Sequence, residues 1–301
     1  MTSLPSFDPM NISEETLADA GQPFWNRATQ SVYPPGSTFK VVTTISALQN
    51  IADVRTATLT CTGALPVDGQ TIRDYGSAVH GELSLKRAFT LSCNNAFAQL
   101  ALTLGDVKLR RTSEDFGFND NFSFSDLVLY NSSYPGDISS VNELAWSGVG
   151  QGRVLVTPLH MAMIASGVAN GGVMMEPKLV RQITGAAGIP RLRASGGAYK
   201  RVMSEATAKI VGEYMRETVE NGTGKKARVS GYTVCGKTGS AETSNDKSVS
   251  TNAWFVGYIQ DANCPYAVAV VLEQAGSGGD LAATLAAKCL AEAVELVGGQ
   301  G

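Results

Sequence analysis

The stretch YPPGSTFK at residues 33–40 decides how the rest of the chain is interpreted. Its Pro-Pro-Gly approach is stiff, and Lys40 follows Ser37 by three residues. If the segment from Ser37 is helical, the two side chains share one face, so the Lys40 amine can reach the Ser37 hydroxyl. A serine becomes a nucleophile when a base lies within hydrogen-bond reach. Alone, the pair is equally explained by a capping serine and a solvated lysine.

The residues after Lys40 give two conflicting signals. Residues 41–45 are all β-branched, which locally favours a strand. Val41, Ile45 and Leu48 nevertheless recur at helical spacing, and the run is longer than an ordinary strand. We therefore predict a buried helix from Ser37 to about Asn50, in which tertiary packing overrides propensity.

Composition excludes several classes of protein. The chain has 301 residues, of which 44% are hydrophobic and 17% charged, and its formal net charge is −3. That length fits one large domain or two ordinary ones. This net charge gives no indication of binding to nucleic acid or to an anionic membrane surface. No apolar run is long enough to cross a membrane, and residues 148–152, GVGQG, break the spacing of a dinucleotide-binding loop.

The cysteines and histidines indicate no metal or cofactor. The cysteine count is odd and no CxxC pair occurs, which argues against a disulfide framework and a zinc site. The sequence has two histidines, His80 and His160, which are too few for a His-rich metal site and offer little basis for a Ser-His-Asp triad of sequence-adjacent groups. We predict that the cysteines are mostly buried small apolar residues. They are Cys61, Cys93, Cys235, Cys264 and Cys289.

Two more polar groups stand out along the chain. Ser92 and Asn94 lie at a predicted junction between two helices, where short polar side chains are presented from a loop. Lys237, Thr238 and Gly239 lie on a predicted strand, where a lysine and a hydroxyl can bind a carboxylate and the glycine allows close approach. Taken singly, capping by Asn94 and an ordinary strand lysine explain these residues as well.

The remaining pattern predicts an α+β fold, an antiparallel sheet flanked by helices. We expect a short strand and a loop in residues 1–32, strand and turn in 51–80 with a turn at Asp68-Gly69, and mostly loop in 112–140. Helices are predicted at 85–91, capped by Ser84, at about 95–105, at 158–169 behind Thr157-Pro158, at 204–220 and at 281–297, the last with Leu290, Val294 and Val297 on one side. Strands are predicted at 232–238, 252–260 and 266–273.

Three motifs occur in order along the chain: S-x-x-K at a predicted helix start, S-x-N in a predicted loop between helices, and K-T-G on a predicted strand. With these motifs the chain resembles the transpeptidase domain of penicillin-binding proteins, most closely the monofunctional class B type. The resemblance covers nearly the whole chain. It also rests on residues 5–9, 26–28, the Pro-Pro-Gly before Ser37, residues 150–152 with Thr157-Pro158, and residues 221–224, 236–242 and 254–258.

The resemblance implies that residues 1–301 form a single transpeptidase domain. An α/β subdomain is expected at about 1–60 and 190–301, and a mainly helical subdomain at about 61–189. The active site is expected to lie between them.

The resemblance also implies a role for each motif residue. Ser37 attacks the carbonyl between the terminal D-alanines of a peptidoglycan stem peptide, and Lys40 takes its proton. Backbone N–H groups of Ser37 and Ser240 form the oxyanion hole. Ser92 passes a proton to the leaving amine, while Asn94 holds Lys40 and the substrate amide.

On the same grounds, Lys237 and Thr238, followed by Gly239, bind the terminal carboxylate. The expected partners are stem peptides as donor and amine acceptor, β-lactam antibiotics, and a membrane glycosyltransferase in the full-length protein. No nucleic-acid partner, metal or cofactor is expected. Because such domains follow a membrane anchor and a non-catalytic region, we expect a soluble piece of a protein from the extracytoplasmic face of the bacterial cell membrane.

Motif spacing separates this chain from class A β-lactamases. Ser92 lies 55 residues after Ser37, and Lys237 lies 145 residues after Ser92, an interval that suits a high-molecular-mass penicillin-binding protein. Residues 119–134 hold no glutamate that could activate water, and Glu143 lacks a matching context. The alternatives are a D,D-carboxypeptidase or weak serine β-lactamase of the same superfamily, and a catalytically silent scaffold or sensor.

Overall fold

A computed structural model describes residues 1–244, 246 and 248–298. The helices are α1 Glu14–Ala18, α2 Arg27–Gln30, α3 Lys40–Asn50, α4 Leu85–Leu91, α5 Asn94–Asp115, α6 Val141–Val149, α7 Pro158–Ala169, α8 Glu205–Asn221 and α9 Ala283–Gly298. The strands are β1 Leu59–Cys61, β2 Ala64–Val67, β3 Gln70–Arg73, β4 Gly81–Leu83, β5 Val173–Met175, β6 Gln182–Thr184, β7 Pro190–Arg193, β8 Ala198–Arg201, β9 Val234–Ala241, β10 Asn252–Ile259 and β11 Ala267–Leu272. Short 3₁₀ turns at Gly36–Phe39, Tyr75–Ser77 and Lys225–Ala227 and a π turn at Gly278–Ala282 complete the order.

The main sheet is the predicted antiparallel meander, in the order β11-β10-β9. All residues of β10 are buried because both faces of the sheet are covered. Side chains alternate along a strand, so Trp254, Val256 and Tyr258 join the large core that includes α3, α5, α7 and α8, whereas Phe255 and Ile259 pack with α9. A strand buried on both faces reads as a continuous apolar run. The α+β class is confirmed.

Helix α3 forms against its own propensity. Its residues from Lys40 to Ala47 are all buried. The Thr43 hydroxyl donates to the Gly148 carbonyl oxygen of α6 at 2.8 Å, and the Val42 and Ile45 side chains are completely buried. Such close packing supplies the stabilisation that a β-branched helix lacks. The predicted buried helix is confirmed, with its first turn tightened to a 3₁₀ turn.

Several helices begin at the predicted capping residues. Ser84 accepts a hydrogen bond from the Arg87 N–H, and Thr157, followed by Pro158, accepts one from the His160 N–H. Ser204, predicted only as the first residue of a helix, is the N-cap of α8 and accepts from the Thr207 N–H. Each cap satisfies a backbone donor that the first turn leaves free, so the helix start is encoded locally. The hairpin of β2 and β3 turns at Asp68-Gly69, as predicted.

Some elements differ from the prediction. Residues 1–32, all within the described part, hold the short helices α1 and α2 rather than a strand. Ser13 and Asn26 cap these helices, and neither signal was recognised in the sequence. Helix α5 does not end at Gly105 but kinks there, at φ 75°, and continues to Asp115. On α9, Leu290 and Val294 are buried as predicted, whereas the side chain of Val297 lies outside the described residues.

Among the described residues, no helix has the length and apolar character needed to span a bilayer.

Candidate active site

Ser37 lies on the 3₁₀ turn Gly36–Phe39. This turn contacts Gly150, the residue that follows α6. The Gly36 N–H donates to the Gly150 carbonyl oxygen at 2.8 Å. Gly150 has φ +86°, and a Cβ there would lie 2.1 Å from the Gly36 carbonyl oxygen. Only glycine therefore fits at residue 150, because it tolerates both the positive φ and the backbone contact.

The same turn packs against strand β9. A Cβ on Gly239 would lie 3.0 Å from the Pro35 carbonyl oxygen, and one on Gly36 would lie 2.9 Å from the Ser240 carbonyl oxygen. From β10, the Trp254 indole N–H donates to the Pro34 carbonyl oxygen at 3.1 Å. These contacts bring the Ser37 turn alongside Gly239 and Ser240, two of the residues singled out by the sequence.

Lys40 begins α3 and is completely buried. Its Nζ donates to the Ser92 carbonyl oxygen and to Asn94 Oδ1, each at 2.7 Å, and to Ser92 Oγ at 3.4 Å. Burial lowers the pKa of Lys40 to about 8, although the nearby Cys93 and Asp74 groups counteract part of this effect. A lysine with such a pKa is neutral often enough at neutral pH to accept a proton.

Ser92 ends α4 in the left-handed conformation, with φ 59° and ψ 37°. This conformation is costly for a residue with a side chain, by about 1–2 kcal/mol. It stops the helix and turns the Ser92 hydroxyl toward two lysines. Backbone strain of this kind clusters at functional sites, where the surrounding structure maintains it.

Lys237 lies on β9 and is also completely buried. Its Nζ donates to Ser92 Oγ at 2.8 Å and to the Thr238 carbonyl oxygen at 3.0 Å. Burial lowers the pKa of Lys237 well below its usual value, and the neighbouring charge of Lys40 lowers it further. The arrangement disfavours a positive charge on both amines at once.

Thr238, predicted to bind the carboxylate, and Ser240, predicted to line the oxyanion hole, are each held by a partner that was not predicted as a site residue. Thr238 Oγ1 lies 2.6 Å from Thr223 Oγ1, in the loop after α8. The Gly278 N–H donates to the Ser240 hydroxyl at 3.1 Å. Thr223 lies within residues 221–224, one of the segments on which the family resemblance rests, and this was the only sequence signal for its role. Nothing in the sequence marked Gly278.

Asp74 is the main residue that sequence reasoning missed. It is 5% exposed, and its Oδ1 accepts hydrogen bonds from the N–H groups of Asn94 and Asn95 at the start of α5. The side-chain Nδ2 of Asn94 also donates to the Arg73 carbonyl oxygen at 2.9 Å. The turn that carries Ser92 and Asn94 is thus bound to the segment after β3. An isolated aspartate in a loop has no sequence signal for such a role.

The structure brings Lys40, Ser92, Asn94 and Lys237 into one hydrogen-bonded network and packs the Ser37 turn against Gly239 and Ser240. Within the part of the chain that the structure describes, no hydrogen bond joins the Ser37 hydroxyl to Lys40. Catalytic hydrogen bonds often tighten only when substrate binds. The expected transfer of a proton from Ser37 to Lys40 therefore stays a prediction.

Comparison with known proteins gives the context of this site. The family model described as "Penicillin binding protein transpeptidase domain" matches residues 1–291. The chain is 32% identical to the peptidoglycan D,D-transpeptidase PbpA of Mycolicibacterium smegmatis, over 98% of this chain and 64% of the relative. It is 34% identical to PbpA of Mycobacterium tuberculosis, over 95% of this chain and 62% of the relative.

The fold is similar to a solved structure. The ceftriaxone acyl-enzyme of penicillin-binding protein A from M. tuberculosis superposes with a TM-score of 0.88 at 30% identity, covering 98% of this chain and 69% of that one. Of the two full PbpA sequences, 64% and 62% are covered, so this chain spans less than two thirds of their length. With a family model that matches nearly all of its length, the chain belongs to the penicillin-binding protein transpeptidase domains, of the class B type.

Proposed function

We propose that this chain is a serine-type D,D-transpeptidase, which cross-links peptidoglycan stem peptides through an acyl-enzyme on Ser37 and is acylated there by β-lactams. The observation that carries the proposal is the meeting of Lys40 and Lys237 at one oxygen, Ser92 Oγ. This contact joins the three motif segments, which lie far apart in the sequence. The names of the mycobacterial PbpA relatives and the ceftriaxone acyl-enzyme support it.

In the first step, Ser37 Oγ attacks the carbonyl between the two terminal D-alanines and its proton passes to Lys40. Lys40 suits this role because its pKa, about 8, leaves about a tenth of the amine neutral at pH 7. The Asn94 oxygen, 2.7 Å from Nζ, fixes where that nitrogen points.

The developing oxyanion is bound by the backbone N–H groups of Ser37 and Ser240. The close packing of Gly36 against the Ser240 carbonyl sets the spacing between these two segments. Removing one donor of such a pair typically costs about 3–4 kcal/mol of transition-state stabilisation. Side chains larger than hydrogen at Gly36 or Gly239 would push the segments apart.

In the second step, Ser92 delivers a proton to the departing D-alanine amine. Its hydroxyl lies between Lys40 and Lys237, so a proton taken by Lys40 has a path to the leaving group. Lys237, charged once a carboxylate is present, and Thr238 bind the terminal carboxylate. The anion raises the pKa that burial had lowered, so substrate binding and protonation of Lys237 reinforce each other.

An amine from a second stem peptide then resolves the acyl-enzyme, which makes this a transpeptidase rather than a hydrolase. The β-lactamase alternative requires a group that activates water. Glu143 does not suit this role, because hydrogen bonds from Arg153 and Ser139 lower its pKa to about 2. A carboxylate held in this way is a weak base. A β-lactam adduct on Ser37 is therefore expected to persist.

We infer that the two subdomains implied by the family resemblance each supply part of this site. Ser37, Lys40 and Lys237 belong to the α/β subdomain of about 1–60 and 190–301, and Ser92 belongs to the helical subdomain of about 61–189. On this proposal the active site lies between the two parts. We further infer that the full-length protein is anchored in the bacterial cell membrane, with this domain on the extracytoplasmic face beside a membrane glycosyltransferase.

Intact-protein mass spectrometry after incubation with benzylpenicillin tests the proposal. We expect the mass to increase by one intact penicillin molecule, and the adduct to remain over hours. Ser37→Ala should give no adduct, whereas Ser166→Ala, which removes a hydroxyl on α7 outside the site, should behave like the unchanged protein. A rapidly lost adduct would identify a β-lactamase, and no adduct would leave only the silent scaffold or sensor.

A second experiment separates transpeptidase from carboxypeptidase. A donor peptide that ends in D-Ala-D-Ala is incubated with and without an acceptor amine, here a D-amino acid. Release of D-alanine with formation of the new amide supports the transpeptidase. Hydrolysis to the shortened acid at the same rate, whether or not the amine is present, would identify a carboxypeptidase.

A further inference from the structure

The strands β6 and β7 form a hairpin that lies between β5 and β8 in the chain. They pair with each other in a sheet of two strands, and every residue of both strands is exposed. A two-stranded hairpin that is open to solvent on both faces is marginally stable on its own. Both faces and the tip of this hairpin are therefore available to a partner.

The segment that contains the hairpin is strongly basic. Residues 177–204 include six Lys and Arg residues and no Asp or Glu. The whole chain has 24 basic and 27 acidic residues, so the rest of it has 18 basic and 27 acidic ones. The formal net charge of −3 thus conceals a local excess of positive charge, which explains why it gave no indication of an anionic partner.

Acidic groups neutralise the basic residues at the base of the hairpin but not those along its strands. Lys178 and Lys200, near the two ends of the segment, form ion pairs of 2.7 and 3.0 Å with neighbouring carboxylates. Arg181, Arg191 and Arg193 are exposed and form no ion pair with any residue that the structure describes. Three guanidinium groups therefore leave their positive charge uncompensated on the hairpin.

Apolar side chains accompany these three arginines. Ile183 and Leu192 lie directly opposite each other, so they share one face, and they are 48% and 54% exposed. Ile189, near the tip, is 68% exposed. The tip, TGAAGIP at residues 184–190, has no charged residue. The hairpin thus presents an uncharged, partly apolar tip that is bordered by arginines.

Hydrogen bonds on both sides of the hairpin hold its base on the domain. The Asp126 carboxylate accepts from the N–H groups of Leu179 and Val180 at 2.9 and 2.7 Å. After the hairpin, the Tyr199 hydroxyl donates to Asp120 Oδ2 at 2.5 Å. These bonds fix the orientation of the hairpin on the domain.

The hairpin lies at the opposite end of α5 from the candidate active site. Lys200, in β8, pairs with Asp115, the last residue of α5. Asn94, the first residue of the same helix, accepts a hydrogen bond from Lys40. A partner bound at the hairpin therefore leaves the site open to substrate.

We propose that the β6–β7 hairpin is a membrane-contact surface, which inserts its tip into the interface of a bilayer that contains anionic phospholipids. Guanidinium groups bind phosphate oxygens in bidentate geometry, which suits lipid headgroups. The hydrocarbon beneath the headgroups takes up Ile183, Ile189 and Leu192, since apolar side chains with basic neighbours favour that boundary.

The exposure of the hairpin favours a bilayer over other anionic partners. An acidic polysaccharide pairs with the arginines but leaves the apolar side chains in water. A protein partner covers one face of a hairpin, whereas a bilayer surrounds an inserted tip on all sides. Since both faces of β6 and β7 are exposed, the bilayer accounts for more of the surface.

The contact is weak and reversible by itself. Each arginine near an anionic surface contributes about fivefold to the membrane partition coefficient. A few apolar side chains bury far less area than a spanning helix. The hairpin therefore orients a domain that is already near a bilayer, which the membrane anchoring inferred above would provide. The chemistry of the hairpin carries this inference, and the proposed acyl transfer does not.

The test is sedimentation of the whole chain with vesicles of phosphatidylcholine alone or of an equimolar mixture with phosphatidylglycerol. We expect binding to the anionic vesicles and binding at least about tenfold weaker to the neutral ones. Binding should fall as the salt concentration is raised to about 1 M, because the screening length is then only about 3 Å.

Matched variants assign the binding to the hairpin. The combination of Arg181→Gln, Arg191→Gln and Arg193→Gln should weaken binding to the anionic vesicles about 100-fold. A control variant removes the same charge from exposed residues of α4, α8 and α9 and should retain most of the binding. Its substitutions are Arg87→Gln, Lys209→Gln and Lys288→Gln.

A fluorescent probe at the tip tests insertion. Cys289→Ser removes the exposed cysteine and leaves four buried ones, so Ala187→Cys in that background can be labelled with the environment-sensitive fluorophore NBD. Its emission should shift to shorter wavelength on the anionic vesicles. Adding Ile189→Ser and Leu192→Ser should abolish this shift and weaken binding about tenfold or more, because less apolar area enters the bilayer.

Four results would overturn the proposal. One is the absence of binding to vesicles of either composition. Another is equal loss of binding in the hairpin and control variants, which would indicate an effect of overall charge. The third is vesicle binding without a change in NBD emission. The fourth is binding to soluble polyglutamate but not to vesicles, which would identify an acidic macromolecule as the partner.

The variants should fold and react like the unchanged protein, because every substituted hairpin residue is exposed and far from Ser37. Equal midpoints of thermal unfolding check this. The salt dependence and the NBD shift use chains with intact arginines, so both remain informative if the triple variant is unstable. Penicillin adduct formation is measured separately, so failure of membrane contact and failure of acyl transfer are distinguishable.

Discussion

The side-chain nitrogens of Lys40 and Lys237 donate to the same atom, the Ser92 hydroxyl oxygen, at 3.4 and 2.8 Å. Both amines are fully buried, and burial is the main cause that lowers the pKa of each. Two ammonium groups at one oxygen repel each other, so the doubly charged state is disfavoured and the two titrations are coupled. The hydroxyl between them gives protons a short route across the site.

The pH dependence of Ser37 acylation follows from Lys40. Its pKa is lowered from 10.5 to about 8, and only the neutral amine can accept the Ser37 proton. The acylation rate should therefore rise with pH, with a midpoint near 8, and level off above it. Second-order rates with a fluorescent penicillin from about pH 6 to about pH 9 measure this profile. A flat profile, or one that falls through pH 8, would contradict Lys40 as the base.

Replacing exposed Lys200, which pairs with Asp115 at 3.0 Å on the surface, by alanine should leave that profile unchanged. This control separates titration in the site from a general effect of pH on the fold.

Substitutions at Ser92 separate its hydroxyl from its backbone conformation. Ser92→Ala and Ser92→Gly both remove the oxygen shared by the two lysines, and each should slow acylation about 10²–10⁴-fold. The glycine variant relieves the left-handed strain at φ 59°, so it should be more stable than the alanine variant by about 1 kcal/mol. Acylation rates and urea unfolding of both variants provide the measurement. An active glycine variant would show that the hydroxyl has no part in the reaction.

Locally encoded features could be predicted from the sequence. Ser84 and Thr157 cap their helices with their own side chains, and the Asp68-Gly69 turn depends on its two residues. Such signals act within a few positions, so no knowledge of the fold is needed. The three motifs of the site were found through the family resemblance in addition to their chemistry.

Features that depend on distant contacts could not be predicted. Asp74 acquires its role only because the fold places it under Asn94, 20 residues later. Thr223 matters through Thr238, and the kink at Gly105 does not end α5 because both halves pack in the core. A glycine in a helical pattern cannot by itself distinguish an end from a kink.

Glu143 provides a test of why the acyl-enzyme should persist. Hydrogen bonds from Arg153 and Ser139 hold its carboxylate, which lowers its pKa to about 2. Glu143→Gln should therefore leave the lifetime of the penicillin adduct unchanged within a factor of about two. The decay of the adduct is followed by intact mass. A lifetime that grows by an order of magnitude in the variant would identify Glu143 as a deacylating base.

Two glycines after α6 offer a matched test of how the Ser37 turn is held. Gly150 and Gly152 both have positive φ, 86° and 73°, so alanine strains the backbone at either position. A Cβ at residue 150 would also lie 2.1 Å from the Gly36 carbonyl oxygen, whereas one at residue 152 meets nothing within 4 Å. Gly150→Ala should cost about 1–3 kcal/mol more than Gly152→Ala in urea unfolding. It should also slow acylation, because the Gly36–Phe39 turn must shift; equal effects of the two variants would show that this contact does not position Ser37.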